Sequence, residues 1–175
     1  MDEKLPKRKM TRWDQKDYSS EGRYLITICT QDRKPILSRI SSVGVDVLDD
    51  PQIQLLAFGK IAEKYINQLN DFYNDLEVDQ YVIMPNHIHM ILVLNNGEKN
   101  PTVPLIIGQF KRGVTKEIRS IYPNRIVWQR SFHDHIIRNQ AGYEKIWTYI
   151  DNNPLKWEED CFFCKISCND TREGW

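Results

Sequence analysis

Tyr81-Val-Ile-Met-Pro-Asn-His87-Ile-His89-Met-Ile-Leu-Val-Leu94 is the stretch that decides what this chain can fold into. It breaks at Pro85-Asn86, with apolar, β-branched residues on either side. That pattern predicts two adjacent strands, Val78 to Met84 and His87 to Leu94, the second ending at the turn signal Asn95-Asn96-Gly97. Side chains alternate across a strand, so His87 and His89 share one face, and Ile88, Met90 and Leu92 take the other. Such an imidazole pair has two readings: partly buried histidines hydrogen-bonded to backbone, or two neutral ligands sharing a divalent cation. The second requires a third protein ligand and open coordination positions.

Working outward, Arg23 to Thr30 alternates β-branched and aromatic residues and reads as a first strand. Between Pro51 and Tyr73, the residues Phe58, Ile61, Tyr65, Leu69 and Phe72 recur at steps of three and four, predicting an amphipathic helix. A second helix is expected from Pro104 to Ile121, carried by Ile107, Phe110, Val114, Ile118 and Ile121 and closed by Pro123-Asn124. A short strand is expected at Ile126 to Gln129, and a third helix from Ala141 to Asn152, stopped before Pro154. The order β-α-β-β-α-β with a trailing helix predicts an α+β chain of the ferredoxin-like split βαβ kind. It has an antiparallel sheet with helices on one face and an appended C-terminal helix. Because that scaffold carries many functions, function has to come from the site.

At 175 residues the chain accommodates one well-cored domain. The expected division is a basic arm over 1–20, the domain over 21–157 and a tail over 158–175. Lys and Arg total 24 and so do Asp and Glu, so any nucleic-acid role must come from local asymmetry. Lys4, Lys7, Arg8, Lys9, Arg12 and Lys16 supply it at the start, either as a solvated terminus or as contacts to a DNA backbone. No apolar run approaches the ~20 residues of a membrane helix, and the first residues lack a signal-peptide core. A cytoplasmic location is expected, with Cys29, Cys161, Cys164 and Cys168 as reduced thiols. Only three of these cluster, in Cys161-Phe-Phe-Cys164 and Cys168. A closed zinc site takes four ligands, so packed thiols are the simpler reading.

The third helix supplies what the histidine pair lacks. In Tyr143-Glu-Lys-Ile-Trp-Thr-Tyr-Ile-Asp-Asn-Asn-Pro154, the apolar stripe is expected to be Tyr143, Ile146, Trp147 and Ile150. At ~100° per residue, Tyr149 and Asn153 fall together at its border, one turn apart. A phenol and a carboxamide can thus be presented to one spot on the sheet.

Several segments in this order resemble the single-tyrosine HUH transposases, comprising the insertion-sequence transposases of the two-hundred type and their REP-associated relatives. They are Asp17-Tyr-Ser-Ser-Glu-Gly-Arg-Tyr-Leu-Ile-Thr-Ile-Cys-Thr-Gln-Asp-Arg33, Met84-Pro-Asn-His-Ile-His89, Phe110-Lys111, Trp128-Gln-Arg-Ser-Phe-His-Asp-His-Ile-Ile-Arg138 and Tyr149-Ile-Asp-Asn-Asn-Pro-Leu-Lys-Trp157. The resemblance implies that His87 and His89 are paired metal ligands, Tyr149 is the nucleophile and Asn153 is the third ligand, where some members carry glutamine. It also implies magnesium or manganese as the metal, single-stranded hairpin DNA as substrate, and a homodimer. The expected reaction is metal-dependent cutting and rejoining of single-stranded DNA through a 5′-phosphotyrosine, without a nucleotide cofactor. No phosphate-cradling glycine loop is present. The alternatives are a non-catalytic single-strand binding module, which leaves the co-occurrence of histidines, tyrosine and asparagine unexplained, and a related nickase of replication or plasmid transfer.

Two further groups complete the candidates. His133 and His135 alternate around Asp134 and are expected to support the site or dock the third helix. Lys111, Arg112, Lys116 and Arg119 on the second helix, with Arg12 and Arg138, are candidates for DNA contacts; an ordinary solvated face accounts equally well for the helix.

Overall fold

A computed structural model describes residues 20–41, 51–95 and 101–159. The elements in chain order are β1 (Gly22–Cys29), β2 (Ser38–Ser41), β3 (Gln52–Leu55), α1 (Ala57–Phe72), β4 (Leu76–Ile83), β5 (His87–Leu94), α2 (Val103–Ile121), β6 (His133–Ile137) and α3 (Gln140–Asn152). The main sheet has the order β4-β5-β1-β6. Its neighbours are all antiparallel, so β1 and β4 run parallel with β5 inserted between them, the ferredoxin-like split βαβ arrangement. The expected fold class is the observed one.

The two faces of the sheet do different work. Tyr24, Ile26 and Ile28 of β1 with Ile88, Met90, Leu92 and Leu94 of β5 bury one face under α1 and α2. On the opposite face, Val82, Ile91 and Ile137 meet Ile150 of α3, with Leu25, Val93, Tyr143 and Ile146 packed around them. Period-two alternation in β1 and β5 therefore feeds both layers, and the odd-numbered β5 positions, including His87 and His89, lie on the α3 side. α2 and α3 start at side-chain caps: Thr102 accepts from the Leu105 N–H and Asn139 from the Gly142 N–H. Among the described residues, no helix is long and apolar enough to cross a membrane.

Three expectations are corrected. The first helix begins at Ala57 rather than near Pro51. Gln52-Ile-Gln-Leu55 has strand alternation and pairs with Ser38–Ser41, Ile40 opposite Ile53, a two-stranded ribbon the helical spacing had absorbed. The last strand of the sheet is His133–Ile137, not 126–129. Val127 and Trp128 are buried beside Phe110 and pair with the end of β1 at one rung, Trp128 opposite Thr30, with the Gln31 N–H donating to the Val127 carbonyl and the Gln129 N–H to the Cys29 carbonyl; the segment closes the end of the core rather than forming a full strand. The third correction is Trp147, which is 38% exposed at the far border of α3; the face toward the sheet runs through Tyr143, Ile146, Ile150 and Asn153. The 1–19 arm with Arg12, and the tail with Cys161, Cys164 and Cys168, lie outside the described residues.

Candidate active site

β5 begins at His87 immediately after the Pro85-Asn86 turn, and that turn is pinned from two sides. Thr30 donates to the Asn86 carbonyl through its N–H (2.9 Å) and its hydroxyl (3.0 Å), and the Leu37 N–H donates to the Pro85 carbonyl at 3.0 Å. The Asn86 side chain then links two partners: its Nδ2 donates to the Arg33 carbonyl at 3.2 Å, and its Oδ1 faces His87 Nδ1 at 2.9 Å. Because Oδ1 only accepts, this contact places the proton on Nδ1 and leaves Nε2 with its lone pair. His89 is oriented in the same manner, Nδ1 lying 2.8 Å from the hydroxyl of Thr27, its cross-strand partner on β1. The two rings meet edge to face with centroids 4.5 Å apart.

Burial keeps His87 uncharged. His87 is fully buried, and desolvation, followed by the nearness of His89 and the Arg33 charge, lowers its pKa from 6.5 to about 2. A neutral imidazole with one nitrogen anchored by an oxygen and the other available is the state in which histidine ligates a metal. Among the described residues, no group of three or more His, Cys, Asp and Glu side chains gathers. A third protein donor beside the pair therefore has to be of another kind. The buried Asn153, at the C-cap of α3, carries a carboxamide of that other kind, and two imidazoles with such a group would suit a divalent ion whose shell phosphate oxygen and water complete.

α3 carries the nucleophile candidate to the same place. The Tyr149 hydroxyl lies 3.2 Å from His89 Nε2, its ring centroid 5.3 Å from that imidazole, and the residue is 43% exposed, so the phenol is both held at the histidine and open to substrate. Tyr149 and Asn153 line one groove of about 480 Å³ along α3. Tyr143, one helical face away, is otherwise engaged. Its hydroxyl donates to Asp79 Oδ2 at 2.7 Å, which raises its pKa, and the Arg23 guanidinium covers its ring at 4.5 Å. Asp79 can reach it because β4 bulges between Val78 and Gln80. Tyr65, midway along α1, and Tyr73, just beyond its end, belong to the opposite layer.

A sequence model of the family described as "Transposase IS200 like" matches residues 18–153, most of the chain. The chain belongs to the IS200-like transposase family. This transposase is 31% identical to an uncharacterized protein of Haemophilus influenzae, over 87% of this chain and 91% of that one. It is 29% identical to the REP-associated tyrosine transposase of Escherichia coli, over 46% of this chain and 45% of that one. Among solved structures, a REP-associated tyrosine transposase bound to a REP hairpin has the same fold. Its TM-score is 0.54 and its sequence identity 20%, covering 83% of this chain and 74% of that chain.

The remaining candidates scatter around the transposase. On α2, Lys111 Nζ donates to the carbonyls of Gln129, Arg130 and Ser131, and Arg119 Nε donates to the Arg125 carbonyl at 2.9 Å, so these two cations tie down the 125–131 segment. Arg112 and Lys116 line a groove of about 640 Å³ with Arg130 and Trp128. His133 and His135 are exposed on the edge strand β6, facing Thr27 and Leu25 across the register. His133, Thr27 and His89 thereby form one row across the sheet. Arg138 is exposed just past β6.

Residues beside the candidate site that the sequence pattern does not single out are Asn86 and Thr27, which orient the two imidazoles, and Trp157, whose ring centroid lies 6.1 Å from that of His87. A threonine within the apolar run of β1 was the available signal for Thr27. Its match to His89 needed the strand register.

Proposed function

We propose that this protein cleaves and rejoins single-stranded DNA at hairpin-bearing element ends through a 5′-phosphotyrosine on Tyr149, with His87, His89 and Asn153 holding Mg²⁺ or Mn²⁺. The observation that carries the reading is the 3.2 Å approach of the Tyr149 hydroxyl to His89 Nε2 within one chain, bringing nucleophile and ligand pair together. When bound, the ion would act as a Lewis acid on a non-bridging phosphate oxygen and offset the charge that builds in the transition state.

The chain's own groups account for the rest. Asn86 fixes the His87 tautomer, Thr27 holds the His89 ring, and Asn153 offers its carboxamide one turn beyond Tyr149. The phenol, with a free pKa near ~10, loses its proton to water as it attacks. The Tyr149 oxygen–phosphorus bond forms, the bond from phosphorus to the 3′ oxygen breaks, and that oxygen takes a proton from solvent to leave as a 3′-OH. One phosphodiester replaces another, so a different 3′-OH can reverse the step and join strands. Hairpin DNA is proposed as the substrate because the structural relative was solved with a REP hairpin. A homodimer is proposed from the family resemblance; since Tyr149 reaches its own chain's His89, a monomer by light scattering would still be competent for cleavage.

The test is incubation with manganese and a hairpin-bearing single strand labelled on its 3′ side. Wild type is expected to yield a band that survives denaturation as a protein–DNA adduct, and Tyr149→Phe to bind DNA without forming one. An adduct in Tyr149→Phe refutes the nucleophile assignment. Cleavage without any joined product refutes transposition in favour of a nickase.

A further inference from the structure

The groove that holds Tyr149 is lined by more than the catalytic candidates. Lys145, Thr148, Asn152 and Lys156 share it, with Glu159 at one end. At ~100° per residue, positions 145, 148, 149, 152 and 156 fall within one side of a continuing helix, a polar stripe flanking the face that packs on the sheet. The turn after α3 keeps Lys156 on that course, since the Lys156 N–H donates to the carbonyls of Asn152 and Asn153. Lys145 and Lys156 thus stand on opposite sides of the nucleophile. From 145 to 152 the axis advances roughly 10 Å, and Lys156 lies about one turn further.

Nothing in the fold requires these lysines. Both are exposed, and among the described residues the ion pair found is Lys64–Glu117 in the opposite layer, so no described carboxylate lies within bonding reach of either one. Cations separated along a polar groove, with a hydroxyl and a carboxamide between them, match a polyanion of repeating phosphates.

We propose that this groove is a phosphate track. Lys145 and Lys156 pair with backbone phosphates on either side of the bond to be cut, while Thr148 and Asn152 donate to the strand between them. The track raises the affinity for the strand and lays it along α3 in front of Tyr149, whichever of its phosphates is presented. It rests on the reading of Tyr149 as a nucleophile toward DNA.

The experiment measures binding of a labelled oligothymidylate, a strand without a hairpin, across a series of salt concentrations. It compares wild type, Lys145→Gln, Lys156→Gln, the double variant, Lys145→Arg, and Lys60→Gln, an exposed change on α1 in the opposite layer. Each lysine in contact contributes about 0.7 to the slope of log affinity against log salt for a single strand. The double variant is expected to lose about 1.4 of slope, with Lys145→Arg and Lys60→Gln unchanged. In the adduct assay the double variant should form adduct slowly at low DNA and recover at saturating DNA. An unchanged slope, or an equal loss in Lys60→Gln, overturns the track. If the slope falls as expected but wild type forms no adduct, the track stands and the nucleophile reading falls. An adduct with an unchanged slope means the reverse.

Discussion

The buried, uncharged state of His87 makes a thermodynamic prediction that needs neither DNA nor metal. In the unfolded chain His87 takes up its proton near 6.5, whereas in the folded chain the pKa is lowered to about 2 by desolvation first, then by His89 and Arg33. Between those values the unfolded state binds more protons than the folded one, so stability rises with pH across that window. His87 imposes no penalty above about 6.5, and the penalty grows as pH falls below it. The slope approaches about 1.4 kcal/mol per pH unit, so lowering pH from 6.5 to 4.5 costs about 2 kcal/mol through this residue alone. That is a large part of the 5–15 kcal/mol typical of a domain. Urea unfolding in chelator, from pH 7.5 to 4.5, should be compared between wild type and His87→Asn, which retains a polar amide but cannot titrate. Carboxylates and the other histidines contribute to both proteins and cancel in the difference. The wild-type stability is expected to fall faster than that of the variant below pH 6.5, by a slope approaching about 1.4 kcal/mol per unit. Parallel curves would show that His87 is protonated in the folded protein, and the neutral-ligand reading would fail with it.

Thr27→Val removes the hydroxyl facing His89 Nδ1 while keeping a β-branched strand residue, and is expected to weaken manganese binding by about 10- to 100-fold in calorimetry with little loss of fold. An unchanged affinity would mean that Thr27 does not orient a ligand. Two glycines of the helical layer should respond in opposite directions. A Cβ at Gly59 would lie 2.0 Å from the Leu37 carbonyl oxygen, so Gly59→Ala is expected to lower stability by about 2 kcal/mol or more, read as a shift in urea midpoint. At Gly108, on the exposed side of α2, a Cβ meets nothing within 4 Å, and Gly108→Ala is expected to add roughly 0.5–1 kcal/mol.

Much of the site was legible because strand periodicity is rigid. Once His87-Ile-His89 lies in a strand, the two imidazoles share a face whatever the strand packs against, and the observed β5 has the expected bounds. Helical spacing likewise placed Tyr149 and Asn153 together, although it put Trp147 on the wrong side. An aromatic counts as apolar in any pattern, and only the position of the sheet shows that it lies beyond the buried face. The misplaced last strand has the same origin: Val127 and Trp128 are apolar because they plug the core, while the polar residues His133, Asp134 and His135 form an edge strand that keeps one side in water. The basic residues of α2 looked alike by spacing, yet Lys111 and Arg119 bind backbone carbonyls. Long side chains choose partners that sequence periodicity does not specify.

By itself, the sequence determined the three long helices, the two central strands, the split βαβ order and the shared face of His87 and His89, since these follow from local periodicities of two and 3.6 residues. Tertiary structure alone decided that α3 crosses to the face opposite α1 and α2, that Thr27 stands opposite His89, and that the Tyr149 hydroxyl reaches His89 Nε2 across 60 residues of chain. Those are consequences of strand register and of which apolar face finds a partner, and both are settled only when the whole core packs.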